Sequence, residues 1–386
     1  MARLHRVIDD GRRFYEDLLR ENGVLRVRGS GRFRGDVLAV DDEDGETELR
    51  GVPTVLATGA RAWIAPLPGL ASARYLTSDD LLRLTDLPAS LIVGGAGPIA
   101  CEFAQALNRL GVEVTMVLRS DSPLRGEEPE ARETLLRVLR HEGVRVVTGA
   151  RATGVRDVPG GTELTWIGGS ATAEALLVAT GREPRVDETD PAEAGIELDD
   201  GGARVDAHLQ STARGIWALG DAIGGDHRRF QFTHVATHEG PQVAENALLG
   251  AHHEPAYAAM PRVTFTDPEV AAVGLTEAEA RDRGIDVRTQ VKLVRELGKA
   301  RATGESEGFV KVVTDGASGK LVGATIMAAH AGDMLAALTI PLHTRSGDLG
   351  PLLATTFAHP TLSEAVKVAV RDAVAASPTP EAEMTT

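Results

Sequence analysis

The sequence holds a single cysteine, Cys101, in 386 residues, so no disulfide can close within the chain and no thiolate zinc site can be assembled. Aromatic residues make up only 4%, which leaves the core to Val, Leu, Ile and Ala. No apolar run approaches the roughly 18 residues that cross a bilayer. The charged N-terminus, MARLHRVIDDGRRFYEDLLREN, lacks the apolar centre of a signal peptide. Positive charge is also scarce: 41 Lys and Arg against 56 Asp and Glu leave a net charge of −15. That balance excludes a general nucleic-acid binder and a protein held on anionic lipid. No lysine precedes Lys292, a bias we attribute to genome composition. A soluble, cytoplasmic protein with no metal site is expected.

What is present is globular in character, with 42% hydrophobic and 25% charged residues and 42 glycines. Val7, Phe14, Leu18 and Leu19 recur at helical spacing and predict an amphipathic helix over residues 3–22. Short strands are expected at Val24–Val27 and Asp36–Val40, with an acidic turn at Asp41–Gly45, and a buried strand at Val52–Ala57. From Leu91 the pattern alternates. LIVGG, VEVTMVL and VRVVTG read as strands, separated by helices ending at Gly111 and Gly143. Strands alternating with helices predict parallel βαβ units. Residues 152–179 read as antiparallel, turned at Pro159-Gly160-Gly161. GIWALGDA reads as another buried strand, followed by a helix from Thr233 to Leu249. After Pro261, three strand-like runs and helices near 276–283, 331–343 and 361–376 suggest a separate α+β domain. The last ten residues, SPTPEAEMTT, are expected to be disordered.

Gly95-Ala96-Gly97-Pro98-Ile99-Ala100 fits the G-x-G-x-x-A dinucleotide fingerprint. Its context is the required one: a strand leads in, a helix leads out and a second strand follows. Glycines there turn tightly and let a pyrophosphate approach a helix N-terminus. Pro98 is tolerated in the first helical turn, where its missing N–H costs nothing. An NAD site would place Asp or Glu at the end of the second strand. This chain has Val117-Leu118-Arg119, with Arg125 six residues on. Two guanidiniums suit a 2′-phosphate, which favours NADP(H) over NAD(H). Two solvated arginines in an arginine-rich chain are the alternative.

Two ATG turns (Ala57-Thr58-Gly59 and Ala179-Thr180-Gly181), the fingerprint between them, GIWALGDA and FAHPTLSEA occur in a fixed order. Together they resemble the flavin-dependent pyridine nucleotide–disulfide oxidoreductases, over nearly the whole chain from about Phe14 to Ala373. The resemblance implies an α/β architecture, with a Rossmann-type NAD(P) domain inserted in a partial FAD domain and followed by an α+β dimerisation domain. Its expected bounds are 1–87 for the partial FAD-binding domain, 88–181 for the NAD(P) domain, 182–257 for the FAD-domain return, 258–376 for dimerisation and 377–386 for the tail. It implies FAD contacts from Thr58, Gly59, Gly181, Gly220, Asp221 and the segment Phe232-Thr233-His234-Val235. Gly95, Gly97 and Ala100 would line the nucleotide turn, and Glu102 matches a glutamate beside the nicotinamide. His359 and Glu364 match a pair sent towards the active site of the dimer partner, where the imidazole serves as acid–base for a thiol. Without the family, HPTLSE reads as a turn at Pro360 and a capping box between Thr361 and Glu364.

Departures from the family are part of the reading. No glycine fingerprint precedes residue 91, no Cys-x4-Cys pair occurs, and Cys101 falls inside the nucleotide helix, where it reads as inert core. Pro98 stands where several relatives carry an aromatic gate. The absence of a C-terminal cysteine pair argues against Hg(II) handling. The expectation is therefore a homodimeric NAD(P)H–FAD oxidoreductase, with a small-molecule or disulfide acceptor, whose N-terminal portion is missing from this stretch. Alone, the stretch is expected to bind NADPH but to hold FAD poorly. The alternatives are a non-catalytic dimeric NADP(H)-binding protein, or a subunit completed by a second chain that supplies the missing FAD half-domain.

Overall fold

The computed structural model describes residues 1–42, 45–51 and 53–375. The expected turn residues 43–44, Val52 of the expected strand, and the expected disordered tail at 377–386 lie outside the described residues. The chain divides into two compact units. One comprises Met1–Pro66, Leu76–Leu87 and Thr180–Pro255; the other comprises Leu67–Tyr75, Pro88–Ala179 and Ala256–Thr386.

In the first unit, the amphipathic helix spans Ala2–Glu21 and buries none of its residues. The strand expected at Val24–Val27 is irregular backbone instead, and the hairpin begins at Ser30–Arg34, paired with Val37–Asp42. Val24 and Leu25 are exposed, so nothing rewards pairing there, whereas Gly35 (φ +64°) supplies the turn between the two real strands. Thr54–Leu56 runs parallel to Ile216–Ala218, and Ala60–Ala62 pairs antiparallel with Arg182–Pro184. The helix Thr233–Leu249 turns Val235, Glu239, Val243 and Asn246 inward at helical spacing.

In the second unit, four parallel strands lie in the order Ala175–Val178, Ser90–Gly94, Glu113–Val117, Arg145–Val147. Leu91, Ile92 and Val93 are fully buried, as expected of a central strand covered on both faces. The chain extends the sheet to one side of Ser90–Gly94 and then returns to its other side. That reversal opens a crevice at the strand's carboxyl end. Helix Pro98–Arg109 starts there, with Pro98 at its first position, and buries Cys101 completely. Burial pushes the Cys101 thiol up to about 12, with the neighbouring Glu102 charge adding to it. A three-stranded meander at 152–173 follows.

The C-terminal part of this unit is a five-stranded antiparallel sheet. Its order is Arg262–Thr264, Glu269–Gly274, Leu321–Ala328, Phe309–Asp315, Val287–Leu293. Helix Ala331–His343 packs on the strands Glu269–Gly274 and Leu321–Ala328, and helix Glu364–Ala375 on Val287–Leu293 and Phe309–Asp315. Between them lies an aliphatic core that includes Ile326, Leu335, Leu338, Val366 and Val370. Two short helices, Gly298–Thr303 and Gly350–Ala354, were not legible in the sequence. They are single turns or little more, too short to show a hydrophobic period.

Ile326 is fully buried, so Ile326→Ala should cost about 2–5 kcal/mol through lost burial and an unfilled cavity. Exposed Ile167 should tolerate the same change within about 0.5 kcal/mol. Chemical denaturation of the two variants checks both.

Candidate functional site

The expected fingerprint occupies the crevice at the carboxyl end of Ser90–Gly94. Gly95 has φ +152°, and a Cβ there would lie 2.2 Å from the Ala179 carbonyl oxygen and 3.3 Å from the Ala100 methyl. Both a side chain at 95 and anything larger than alanine at 100 would push the strand and helix apart. Gly97, by contrast, is the helix N-cap, and a Cβ would meet nothing within 4 Å. Its backbone is open on the ligand side. The Leu124 N–H donates to the Ala96 carbonyl at 2.8 Å and ties the following loop to this turn. Exposed backbone, a helix of twelve residues beginning at it and no acidic side chain in its first turn fit a pyrophosphate.

Arg119 follows the second strand of the sheet, and Arg125 lies on the loop after it. Both are exposed, and neither has an ion-pair or hydrogen-bond partner among the described residues. Glu102, one turn into the helix, accepts a hydrogen bond from the Phe265 N–H at 2.8 Å. Burial raises its pKa, and the Phe265 N–H only partly offsets this. The same helix is tied to the cis-proline turn at Asp267-Pro268. Gln105 donates to the Asp267 carbonyl at 2.8 Å and accepts from its N–H at 2.7 Å.

In the other unit, the two expected flavin-side turns leave neighbouring strand ends. Leu56 and Ala218 are register partners in the parallel pair, so Thr58-Gly59 and Gly220-Asp221 emerge side by side. Gly59 has φ +68° and space for a Cβ, while at Gly220 (φ +59°) a Cβ would meet the Ala236 methyl at 2.8 Å. Gly181 (φ +149°) lies beside Trp63, whose N–H it accepts at 2.9 Å. Thr233 is exposed at the start of its helix. Burial raises the Asp221 pKa, and the Arg182 guanidinium at 3.9 Å works in the opposite direction. Arg182 also donates to the Ala60 carbonyl at 2.6 Å, joining the three turns. A half-buried carboxylate set among open glycine backbone at two parallel strand ends fits a ligand rich in hydroxyl and phosphate groups.

Sequence reasoning missed two residues here. Glu239 is fully buried; it accepts the Gly220 N–H at 2.6 Å and faces His227 at 3.1 Å. Arg182 directly follows the second ATG turn, and that adjacency was the one available signal. For Glu239 there was none, because its partners Gly220 and His227 lie in the segment before its helix and share no periodic pattern with it.

His359 and Glu364 are brought together, with Nδ1 lying 3.0 and 3.2 Å from the two carboxylate oxygens. An ionised carboxylate only accepts, so Nδ1 carries a proton, and in the neutral imidazole Nε2 keeps its lone pair. The His359 side chain is 77% exposed while Glu364 is 29% exposed. The expected capping box is half present. Glu364 accepts the Thr361 N–H at 3.0 Å, but the Thr361 hydroxyl donates back to the Ala358 carbonyl and the helix begins at Glu364 itself. The His359-Pro360 bond is cis.

The imidazole hydrogen bond, followed by the Thr361 N–H, holds the Glu364 carboxyl below the usual carboxylate range. Its contribution to stability is therefore present above the ordinary carboxylate pKa and is lost as pH falls through the depressed value. His359→Ala should raise the Glu364 pKa towards, but not fully to, the ordinary value, as followed by NMR titration of the side-chain carboxyl. If this turn holds a pyrophosphate, Gly95→Ala should abolish that binding, as measured by calorimetry, because the new methyl displaces the turn.

Residues 6–240 match the pyridine nucleotide-disulphide oxidoreductase family, and residues 260–370 match its dimerisation domain. The mercuric reductase of Bacillus cereus is 33% identical over 92% of this chain and 56% of its own length. The dihydrolipoyl dehydrogenase of Chlamydia pneumoniae is 30% identical over 94% of this chain and 77% of its own. The chain thus spans little more than half of some of the relatives that it matches. Among solved structures, the HOCl-induced flavoprotein disulfide reductase RclA of Escherichia coli, in a cysteine-to-serine mutant, superposes with a TM-score of 0.85 at 26% identity. That match covers 92% of this chain and 81% of the other. LpdA of Mycobacterium tuberculosis gives 0.86 at 27% identity, covering 96% and 82%. By these matches the chain belongs to the pyridine nucleotide-disulphide oxidoreductases.

Proposed function

We propose that this chain works in a flavin-dependent oxidoreductase that takes hydride from NADPH and passes reducing equivalents to an acceptor through FAD. Members of the family use FAD and NAD(P)H, and between them the two cofactors supply the hydride-transfer chemistry. The observation that carries the reading is the open Gly95–Gly97 backbone at the switch point of the parallel sheet, with a twelve-residue helix starting from it. Gly95, Gly97 and Ala100 admit the pyrophosphate, and Glu102 stands beside the nicotinamide. Arg119 and Arg125 recognise the 2′-phosphate, since two unpaired guanidiniums gain most from a dianionic partner.

Residues 1–87 and 182–257 form the FAD-binding part, 88–181 the coenzyme domain and 258–376 the dimerisation domain. Thr58, Gly59, Gly181, Gly220, Asp221 and Thr233 hold the FAD. The chain associates as a homodimer, in which the exposed His359 imidazole meets the site of the partner subunit. Glu364 fixes its tautomer, so that Nε2 can take and return a proton.

If the arginines clamp the 2′-phosphate, NADPH binds tighter than NADH, and Arg119→Ala costs NADPH roughly 1.5–3 kcal/mol, as for a hydrogen bond to a charged group. Calorimetry giving equal affinities for the two coenzymes would sink the assignment. For the flavin half, which is expected to hold FAD poorly in this stretch alone, titration with excess FAD should quench flavin fluorescence weakly, and Asp221→Ala should weaken that quenching further; identical curves would remove Asp221 from the site. Sedimentation equilibrium tests the dimer, and a monomer at every concentration would contradict it.

A further inference from the structure

The strand Phe309–Asp315 is buried at every position but its last, and its third residue is a lysine. Lys311 is 3% exposed, and its ammonium lies 3.0 Å from Glu128, 2.8 Å from Glu130 and 3.0 Å from Glu277. An ammonium has three N–H donors, and each finds a carboxylate. Burial alone would lower the Lys311 pKa, but the three hydrogen-bonded carboxylates outweigh it and raise the value above the ordinary one.

Glu128 is the most buried of the three, at 1% exposure. One carboxylate oxygen accepts from Lys311 and the other from the Glu277 N–H at 2.7 Å. It directly precedes Pro129, the first residue of helix Pro129–His141. Upstream, the Glu127 N–H donates to the Leu124 carbonyl at 2.8 Å, closing a turn, and the Leu124 N–H is tied to the fingerprint turn through Ala96. Arg125 sits inside that turn. Its backbone is thus held at one end by the glycine turn and at the other by a carboxylate that Lys311 compensates.

We propose that Lys311 is a positioning residue for coenzyme selectivity: by holding Glu128 it fixes the Leu124–Glu128 turn that presents Arg125 to the coenzyme 2′-phosphate. The inference rests on the role given above to Arg125. A purely structural lysine would affect NADPH and NADH alike, because the Gly95–Gly97 turn serves both. A lysine acting through Arg125 affects only the coenzyme that carries the phosphate.

The test measures NADPH and NADH affinities by calorimetry on the Lys311→Met, Glu128→Gln and Arg125→Ala variants of the whole 386-residue chain. The expected result is that the NADPH-over-NADH preference falls roughly two- to thirtyfold in Lys311→Met and Glu128→Gln, the range over which residues away from a ligand modulate its affinity. NADH affinity should stay unchanged. Equal losses for both coenzymes, or an unchanged preference, would overturn the proposal. If Lys311→Met does not fold, Glu128→Gln decides the matter, since it leaves the ammonium paired with Glu130 and Glu277. If Arg125→Ala leaves the preference unchanged, the arginine assignment fails and this inference falls with it. If Arg125→Ala shifts the preference and the other two variants do not, only the role of Lys311 is refuted.

Discussion

The closeness of the Ala179 carbonyl to the place a side chain on Gly95 would occupy is the constraint on which the parallel-sheet region depends. It exists because Ala175–Val178 and Ser90–Gly94 are parallel neighbours that end at the same level. At that level the chain must leave one strand sharply and enter a helix. A backbone without a side chain is the one solution at φ +152°. Once the turn is made, the helix N-terminus points into the crevice, Ala100 packs under it, and Glu102 and Gln105 face the loop around Phe265 and Asp267. The site therefore follows from strand register, and the side chains around it refine what the register opened.

A second pattern recurs among the buried polar groups. The chain is rich in arginine, yet several of its buried or half-buried carboxylates take backbone N–H groups as partners. Glu102 takes that of Phe265, Glu128 that of Glu277, Glu239 that of Gly220 and Glu269 that of Gly332. A backbone donor is already fixed by its strand or turn, so the bond costs little side-chain entropy. Each such carboxylate ties a helix or loop to a segment distant in sequence. The arginine pairs that do form are mostly at the surface, where a pair contributes about 1 kcal/mol at most.

Much of this was legible in the sequence. β-Branched runs punctuated by glycine announce a parallel sheet, and the spacing from Gly95 to Ala100 locates the glycine turn at its crevice. His359 and Glu364 lie five residues apart on one turn, so their pairing is a local event that sequence order can suggest. What was not legible is long-range or marginal. Glu128 and Lys311 are 183 residues apart, and a lysine in an apolar run gives no hint of which acids it will meet. Val24–Val27 has strand propensity but no partner strand, and propensity alone does not make a sheet. Thr361 shows the same limit at smaller scale: the capping sequence is present, but its hydroxyl found a nearer acceptor.

The burial of Cys101 has a practical consequence. A thiol whose pKa stands near 12 has almost no thiolate at neutral pH, and thiolate is the species that maleimides and iodoacetamides capture. A cysteine engineered at an exposed position would then be the one thiol in the chain to react. Fluorophores or spin labels could be attached at chosen positions without first removing a native residue, and a pair of such cysteines, one in each compact unit, would report a distance in solution.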